Sequence, residues 1–186
     1  MNAKTYKKSK RGIAQCELCH RKIKVGELYQ KFAVRFNPVR IRCIDHRFRK
    51  SDMAGGRNSD VFLIMENLED FMFLFKYKMI GGIWDMIEIP DIKTLLDDSV
   101  RKLEGISAEY SESADNLEEN SGWRVQVEEI QDKSDECSRL AEELSKISFE
   151  LDKIDMKYKP FDNLKFLTLF EEISDTIDSC YSSYII

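Results

Sequence analysis

Four residues near the N-terminus have the types and the spacing that metal binding requires. Cys16 and Cys19 form one C-x2-C pair, and after 23 intervening residues Cys43 and His46 form a C-x2-H pair. A two-residue spacer lets a tight turn aim both side chains at one ion, and a second pair completes the tetrahedron. Three thiolates and one imidazole suit Zn²⁺, and four protein ligands leave no position for a reacting water. We therefore expect a structural zinc site, with His20 as the alternative nitrogen ligand.

The sequence offers few residues or motifs for catalysis. The 186 residues include two histidines and no nucleophile-elbow, Walker or dinucleotide-binding glycine pattern. Five cysteines, an odd number, fit metal binding in a reducing compartment better than a disulfide framework. The sequence therefore predicts a cytoplasmic protein that is not an enzyme, and a metal-dependent nuclease is the catalytic alternative.

The segment between the two ligand pairs predicts the elements that bring them together. Residues 27–36 alternate in part, Asn37-Pro38 marks a turn, and residues 39–42 alternate cleanly, which indicates a β-hairpin. A short helix from Cys43 through Arg49 would then place its two metal ligands on one face of its first turn.

The order of elements over roughly residues 13–50 is a turn that carries the C-x2-C pair (a zinc knuckle), a hairpin and a helix. This order resembles the treble-clef zinc fingers, including some phage and nick-sensing fingers of that superfamily. The resemblance implies a metal-binding module in which Cys16, Cys19, Cys43 and His46 are the ligands. It covers a module and not the whole chain.

Charge divides the chain into two parts. Residues 1–50 contain 15 Lys or Arg against Glu17, Glu27 and Asp45, which gives +12, and the remainder carries −17 within a net charge of −5. Such asymmetry indicates a basic module suited to a polyanion and an acidic module suited to a basic surface, unless the two parts neutralise each other.

The basic module predicts a phosphate-binding surface. Alternation places Arg40 and Arg42 on one exposed strand face, next to a flexible basic N-terminal arm. Tyr29 can stack on bases, whereas Phe32 and Phe36 are expected in the core of the finger. The nucleic-acid candidates are Lys7, Lys8, Lys10, Arg11, Arg35, Arg40, Arg42, Arg47 and Arg49.

The acidic part predicts helices. Residues 61–80 are apolar on nearly every side, but charges interrupt them throughout, so we expect a buried helix capped by Asp60 and no membrane span. Two heptad seams, separated by a break at residues 120–122, predict an antiparallel coiled-coil hairpin at about 91–158. One continuous helix that mediates a homodimer is the alternative. A final amphipathic helix after residue 161 covers the base of the hairpin together with the helix at 61–80.

The predicted fold is therefore mainly α with a small α+β zinc module. It has a basic, treble-clef-like zinc finger at 1–50, a linker at 51–60 and an acidic helical domain at 61–186. The predicted function is that of a zinc-binding nucleic-acid-associated adaptor or regulatory factor, of phage or microbial origin, with a protein partner on its helices. The alternative is a protein-interaction inhibitor of a host enzyme or of transcription machinery. DNA, RNA and an acidic protein all remain open as ligands of the finger.

Overall fold

A computed structural model describes residues 3–7, 14–33, 38–80, 89–121, 124–154 and 164–183. The chain divides into two compact units, one reaching from Met1 to Asp60 and the other from Val61 to Ile185. The first unit carries the strands, and the second is helical.

The first unit contains five short strands: β1 (Lys4–Lys7), β2 (Ala14–Gln15), β3 (Lys22–Ile23), β4 (Leu28–Phe32) and β5 (Arg40–Cys43). Strands β1, β4 and β5 form one antiparallel sheet in the order β1-β4-β5, and β2 pairs with β3. The predicted hairpin is confirmed, because Tyr29 lies opposite Cys43 and Phe32 lies opposite Arg40.

Residues 4–7 are not the flexible arm that the sequence indicated. They form β1, which pairs in full with β4 on the side that β5 leaves open. An unpaired edge would leave the backbone groups of β4 to solvent, and β1 satisfies them. The prediction of a flexible arm is therefore wrong for β1.

The helix expected from Cys43 to Arg49 is also wrong. Residues 43–46 form a turn in which the His46 N–H donates to the Cys43 carbonyl at 3.0 Å. Helix α1 (Lys50–Met53) begins four residues later, where the Asp52 carboxylate accepts the Arg49 N–H at 2.9 Å. Turn and helix both satisfy a three-residue ligand spacing, so the spacing alone does not distinguish them.

Most of the predicted linker is helical as well. Helix α1 occupies its beginning, and helix α2 (Arg57–Ile80) begins before its end, so that Asp60 lies in the first turn of α2 and is not its cap. The Ser59 hydroxyl donates to the Ser51 carbonyl at 2.7 Å and ties the start of α2 to α1. Seven of the ten residues of the predicted linker are therefore helical.

Helices α3 (Ile89–Ser121) and α4 (Arg124–Leu151) pack along each other as an antiparallel hairpin. The Ser148 hydroxyl donates to Asp97 at 2.5 Å near the base, and Ser107 pairs with Ser134 farther along. In these contacts a higher residue number on α3 is paired with a lower one on α4. The two helices therefore run antiparallel and are not one continuous helix. Coiled-coil geometry in the strict sense stays a prediction. Of the predicted seam positions, four are only half-buried, namely Val100, Leu117, Val127 and Ile130. The others are buried: Leu96, Leu103, Ser107, Tyr110, Ala114, Ser134, Cys137, Ala141, Leu144, Ser148 and Leu151.

Serine hydroxyls form a buried polar rung inside this hairpin. The Ser107 hydroxyl donates to the Ser134 carbonyl, and the Ser134 hydroxyl donates back to the Ser107 carbonyl, both at 2.9 Å. The Ser138 hydroxyl lies 2.8 Å from the Ser107 hydroxyl. Small side chains thus bring the two helices close and satisfy their own polar groups there.

Helix α5 (Leu164–Ser183) supplies the additional packing that the seams require. It lies along α4, and its Phe166 and Phe170 rings lie 5.4 and 4.7 Å from the ring of Phe75 on α2. The prediction that this helix and the apolar helix pack together is confirmed. Within the described ranges, none of the helices combines the length and apolar content that crossing a bilayer requires.

Candidate metal centre

The first ligand pair lies on a tight turn between β2 and β3. The His20 N–H donates to the Cys16 carbonyl and the Cys16 N–H donates to the Arg21 carbonyl, both at 3.0 Å. This path forces His20 into the left-handed region with φ of 56°, which glycine adopts without cost. The turn therefore aims the two sulfurs of Cys16 and Cys19 to the same side.

The second pair comes from the end of β5 and the turn that follows it. Cys43 Sγ lies 4.0 Å from Cys19 Sγ and 3.2 Å from His46 Nδ1, which in turn lies 3.8 Å from Cys16 Sγ. All four ligand atoms lie within 4.8 Å of one another. His20, the alternative nitrogen ligand, is not in this group. The four residues predicted from the spacing are the ones that the structure brings together.

This group fits a tetrahedral ion. With zinc–sulfur bonds of about 2.3 Å, two coordinated sulfurs lie about 3.8 Å apart, close to the 4.0 Å between the sulfurs of Cys19 and Cys43. Cys16 and Cys43 are buried, at 0% and 1% exposure, whereas Cys19 is exposed. The site can therefore hold one metal ion whose inner side is covered by protein.

The surroundings of the buried sulfurs favour thiolates, the form that binds metals. Burial acts to raise the pKa of Cys16, but the backbone N–H groups of Cys19, Cys43 and Leu18 outweigh it and lower that pKa. Burial likewise acts to raise the pKa of Cys43, and hydrogen bonds from Cys16 and the Arg21 guanidinium lower it overall. For Cys19 the Arg21 amide lowers the pKa, while desolvation of the thiol and the neighbouring thiols of Cys16 and Cys43 raise it by more.

A small core surrounds the ligands. Cys16, Cys43 and Ile23 form its buried centre, and Tyr29 and Ile41 pack against it. On the other side of the sheet, Phe32 is buried and its ring lies 5.8 Å from that of Phe48, which confirms its place in the core. Phe36 lies outside the described residues.

The prediction that Arg40 and Arg42 lie on an exposed strand face is wrong for Arg42, whose side chain is only 6% exposed. Its guanidinium donates to Glu17 at 2.6 Å and to the two oxygens of Asp52 at 2.5 and 2.6 Å. Arg40 shares Glu17, at 2.7 Å, and is half-buried. Both arginines also lie over the Phe48 ring.

This arrangement, which we call the Arg42 cluster (Glu17, Arg40, Arg42 and Asp52), connects both halves of the metal site. Glu17 lies between the first two ligands, and Arg42 precedes Cys43 in β5. Arg42 also donates to the Arg47 carbonyl at 3.3 Å, directly after the fourth ligand. Burial acts to raise the pKa values of Glu17 and Asp52, but the arginines hold both below their usual range.

Whether the remaining nucleic-acid candidates share one surface stays a prediction, and three of them lie in the described part of the first unit. Arg47 and Arg49 are exposed between β5 and α1, and Lys7 lies in β1. The other predicted residues fall outside the described ranges: Lys8, Lys10, Arg11 and Arg35.

Comparison with protein-family models, with curated proteins and with solved structures finds no match to this chain. The zinc-finger assignment therefore stays a resemblance, carried by the four ligands and the hairpin between them.

Proposed function

We propose that the chain is a zinc-binding, non-enzymatic adaptor whose basic unit binds nucleic acid and whose acidic helical unit binds a protein partner. Zinc is the ion that three sulfurs and one imidazole nitrogen suit best, and a closed set of four ligands serves a structural role. The finer elements of the proposal are a treble-clef finger, a cytoplasmic location and a phage or microbial accessory role.

One observation carries the nucleic-acid part of this proposal. All three acidic residues of the first 50 are already bound to arginines: Glu17 to Arg40 and Arg42, and Glu27 and Asp45 to Arg21. Three arginines and these three acids thus serve the fold, and the other twelve basic residues of the segment supply the excess positive charge. A surface of this kind attracts polyanions through their phosphates.

The acidic unit supports the protein-binding part. Its formal charge, −16 over residues 61–186, favours a partner with a basic surface. Helix α2 also exposes large apolar side chains, since Phe73, Leu74 and Tyr77 are 73%, 49% and 66% exposed. Large apolar side chains exposed together on one helix are typical of protein interaction surfaces.

The experiment is a binding titration with the full-length, zinc-loaded protein. Labelled single-stranded DNA, duplex DNA and RNA are titrated by fluorescence anisotropy across a salt series. We expect binding at low salt. It should weaken by about tenfold or more toward physiological salt, because several phosphate contacts release counterions when they form. No binding to any of the three at low salt would refute the nucleic-acid function and leave the inhibitor of a host enzyme as the better hypothesis.

A further inference from the structure

Two tyrosines and two lysines share one face of the β1–β4 strand pair. Tyr6 lies directly opposite Tyr29, and Lys4 lies directly opposite Lys31. Residues directly opposite each other, or two apart on one strand, point to the same face of a sheet. The tyrosine rings are stacked, with centroids 5.8 Å apart and planes 27° apart. We call this group the Tyr6 patch.

The patch is accessible where a ligand would meet it. Tyr6 is 40% exposed and Lys4 is exposed, whereas Tyr29 and Lys31 are half-buried. Tyr29 packs against the core of the metal site and so forms the fixed base of the stack. One face of the Tyr6 ring therefore rests on a rigid support, as a stacking platform requires.

The pairing of Lys4 with Lys31 does not contribute to the stability of the strand pair. Like charges directly opposite each other destabilise a strand pair, and opposite charges would stabilise it. In the part of the chain that the structure describes, neither Lys4 nor Lys31 has an acidic partner within ion-pair distance, while the nearby acids bind Arg21, Arg40 and Arg42. An anion that bridges the two ammonium groups would relieve their repulsion.

We propose that the Tyr6 patch binds single-stranded nucleic acid, with one base stacked on Tyr6 and an adjoining phosphate held by Lys4 and Lys31. The two-residue step along β1 is about 7 Å, so ring and ammonium group reach one nucleotide together. In a duplex the faces of the bases are already stacked on each other. An exposed tyrosine ring at a sheet edge therefore has no free base face to stack on, and single strands are the expected ligand. The inference rests on the proposed function and specifies its ligand and its site.

The test uses full-length, zinc-loaded protein with two labelled probes of equal length, an oligothymidine and an all-abasic strand. Tyr6→Ala is expected to weaken oligothymidine binding about tenfold and to leave abasic binding unchanged, because only the former offers bases to stack. Tyr6→Phe keeps the ring and is expected to bind like the parent. Oligouridine serves as the arm that distinguishes RNA from DNA.

The lysines are tested with Lys4→Gln combined with Lys31→Gln. This variant is expected to weaken both probes and to lower the slope of log affinity against log salt by about 1.4, the value for two phosphates of a single strand. Lys22→Gln with Lys24→Gln removes the same charge from the same unit and is the matched control, expected to stay within about twofold of the parent. Zinc content of every variant shows that it is folded.

The outcomes separate the two proposals. If the parent binds none of the probes, the proposed function itself fails. If the parent binds oligothymidine but Tyr6→Ala and the double lysine variant bind it equally well, the nucleic-acid function stands and the Tyr6 patch is refuted. Equal loss of abasic and oligothymidine binding in Tyr6→Ala would also refute the stacking role.

Discussion

Replacing Arg42 by Gln should destabilise the first unit far more than the same change at Arg40. Arg42→Gln removes three short charge-assisted hydrogen bonds, of 2.5 to 2.6 Å, from a side chain that is 6% exposed. It leaves the carboxylates of Glu17 and Asp52 with only the half-buried Arg40, at 2.7 and 3.4 Å, as their shared cation.

The magnitude follows from burial. Breaking a buried ion pair by removing one partner costs about 3–5 kcal/mol. The Glu17 and Asp52 side chains keep 27% and 20% exposure and can recover some hydration, so we expect a value near the lower end, about 3 kcal/mol. Arg40 is 37% exposed, and Arg40→Gln should cost about 1 kcal/mol.

Hydrogen–deuterium exchange of the β4 and β5 amides, followed by mass spectrometry, measures this difference in zinc-loaded protein. The two variants should differ by about 2 kcal/mol in opening free energy, which is roughly a thirtyfold difference in exchange rate. Adding Glu17→Gln and Asp52→Asn to Arg42→Gln should restore part of the protection, because two carboxylates that share only Arg40 cause most of the loss. Equal protection in the two single variants would refute the central role of Arg42.

Three further predictions concern other parts of the chain. Cys43→Ser should lower the zinc content measured by mass spectrometry and unfold the first unit. The far-UV circular dichroism spectrum should keep most of its helical signal. Full zinc occupancy in this variant would show that Cys43 is not a ligand. His20→Gly should stabilise the zinc-loaded unit by about 1 kcal/mol against denaturant, because the left-handed conformation no longer carries a Cβ, and His20→Val should do the opposite. Burial and then the nearby charge of Glu69 raise the pKa of Tyr181 far above its usual range, so the helical unit should lose stability as pH rises above about 10, where the unfolded chain ionises. Tyr181→Phe should remove that part of the alkaline loss in thermal unfolding followed by circular dichroism, and an unchanged pH profile would contradict the assignment.

Features encoded by local spacing could be predicted from the sequence. The ligands Cys16, Cys19, Cys43 and His46 form two short-range pairs. The chain has only five cysteines and two histidines, so these pairs stand out in the sequence. The strand hairpin and the helical hairpin follow from repeating apolar positions in the same way.

Features that depend on distant partners could not be predicted. Alternation places Arg40 and Arg42 on one face, but only Glu17 and Asp52, from before and after the hairpin, turn that face inward. Lys4–Lys7 has no apolar alternation, and it becomes a strand because β4 offers a free edge. A glutamate inside the C-x2-C pair of a strongly basic segment was the signal that could have indicated the buried cluster.

The serine rung within the helical hairpin has a mechanical consequence. If α4 slid by one heptad along α3, Ser107 and Ser134 would each face an apolar position, and their hydroxyls would lose the reciprocal bonds they now make. Each orphaned buried hydroxyl costs about 1–3 kcal/mol, more than an all-aliphatic seam of similar shape would lose on slipping. The serine pair therefore fixes the register of α3 against α4, and we expect a force applied along the hairpin to bend the two helices together before it slides one past the other.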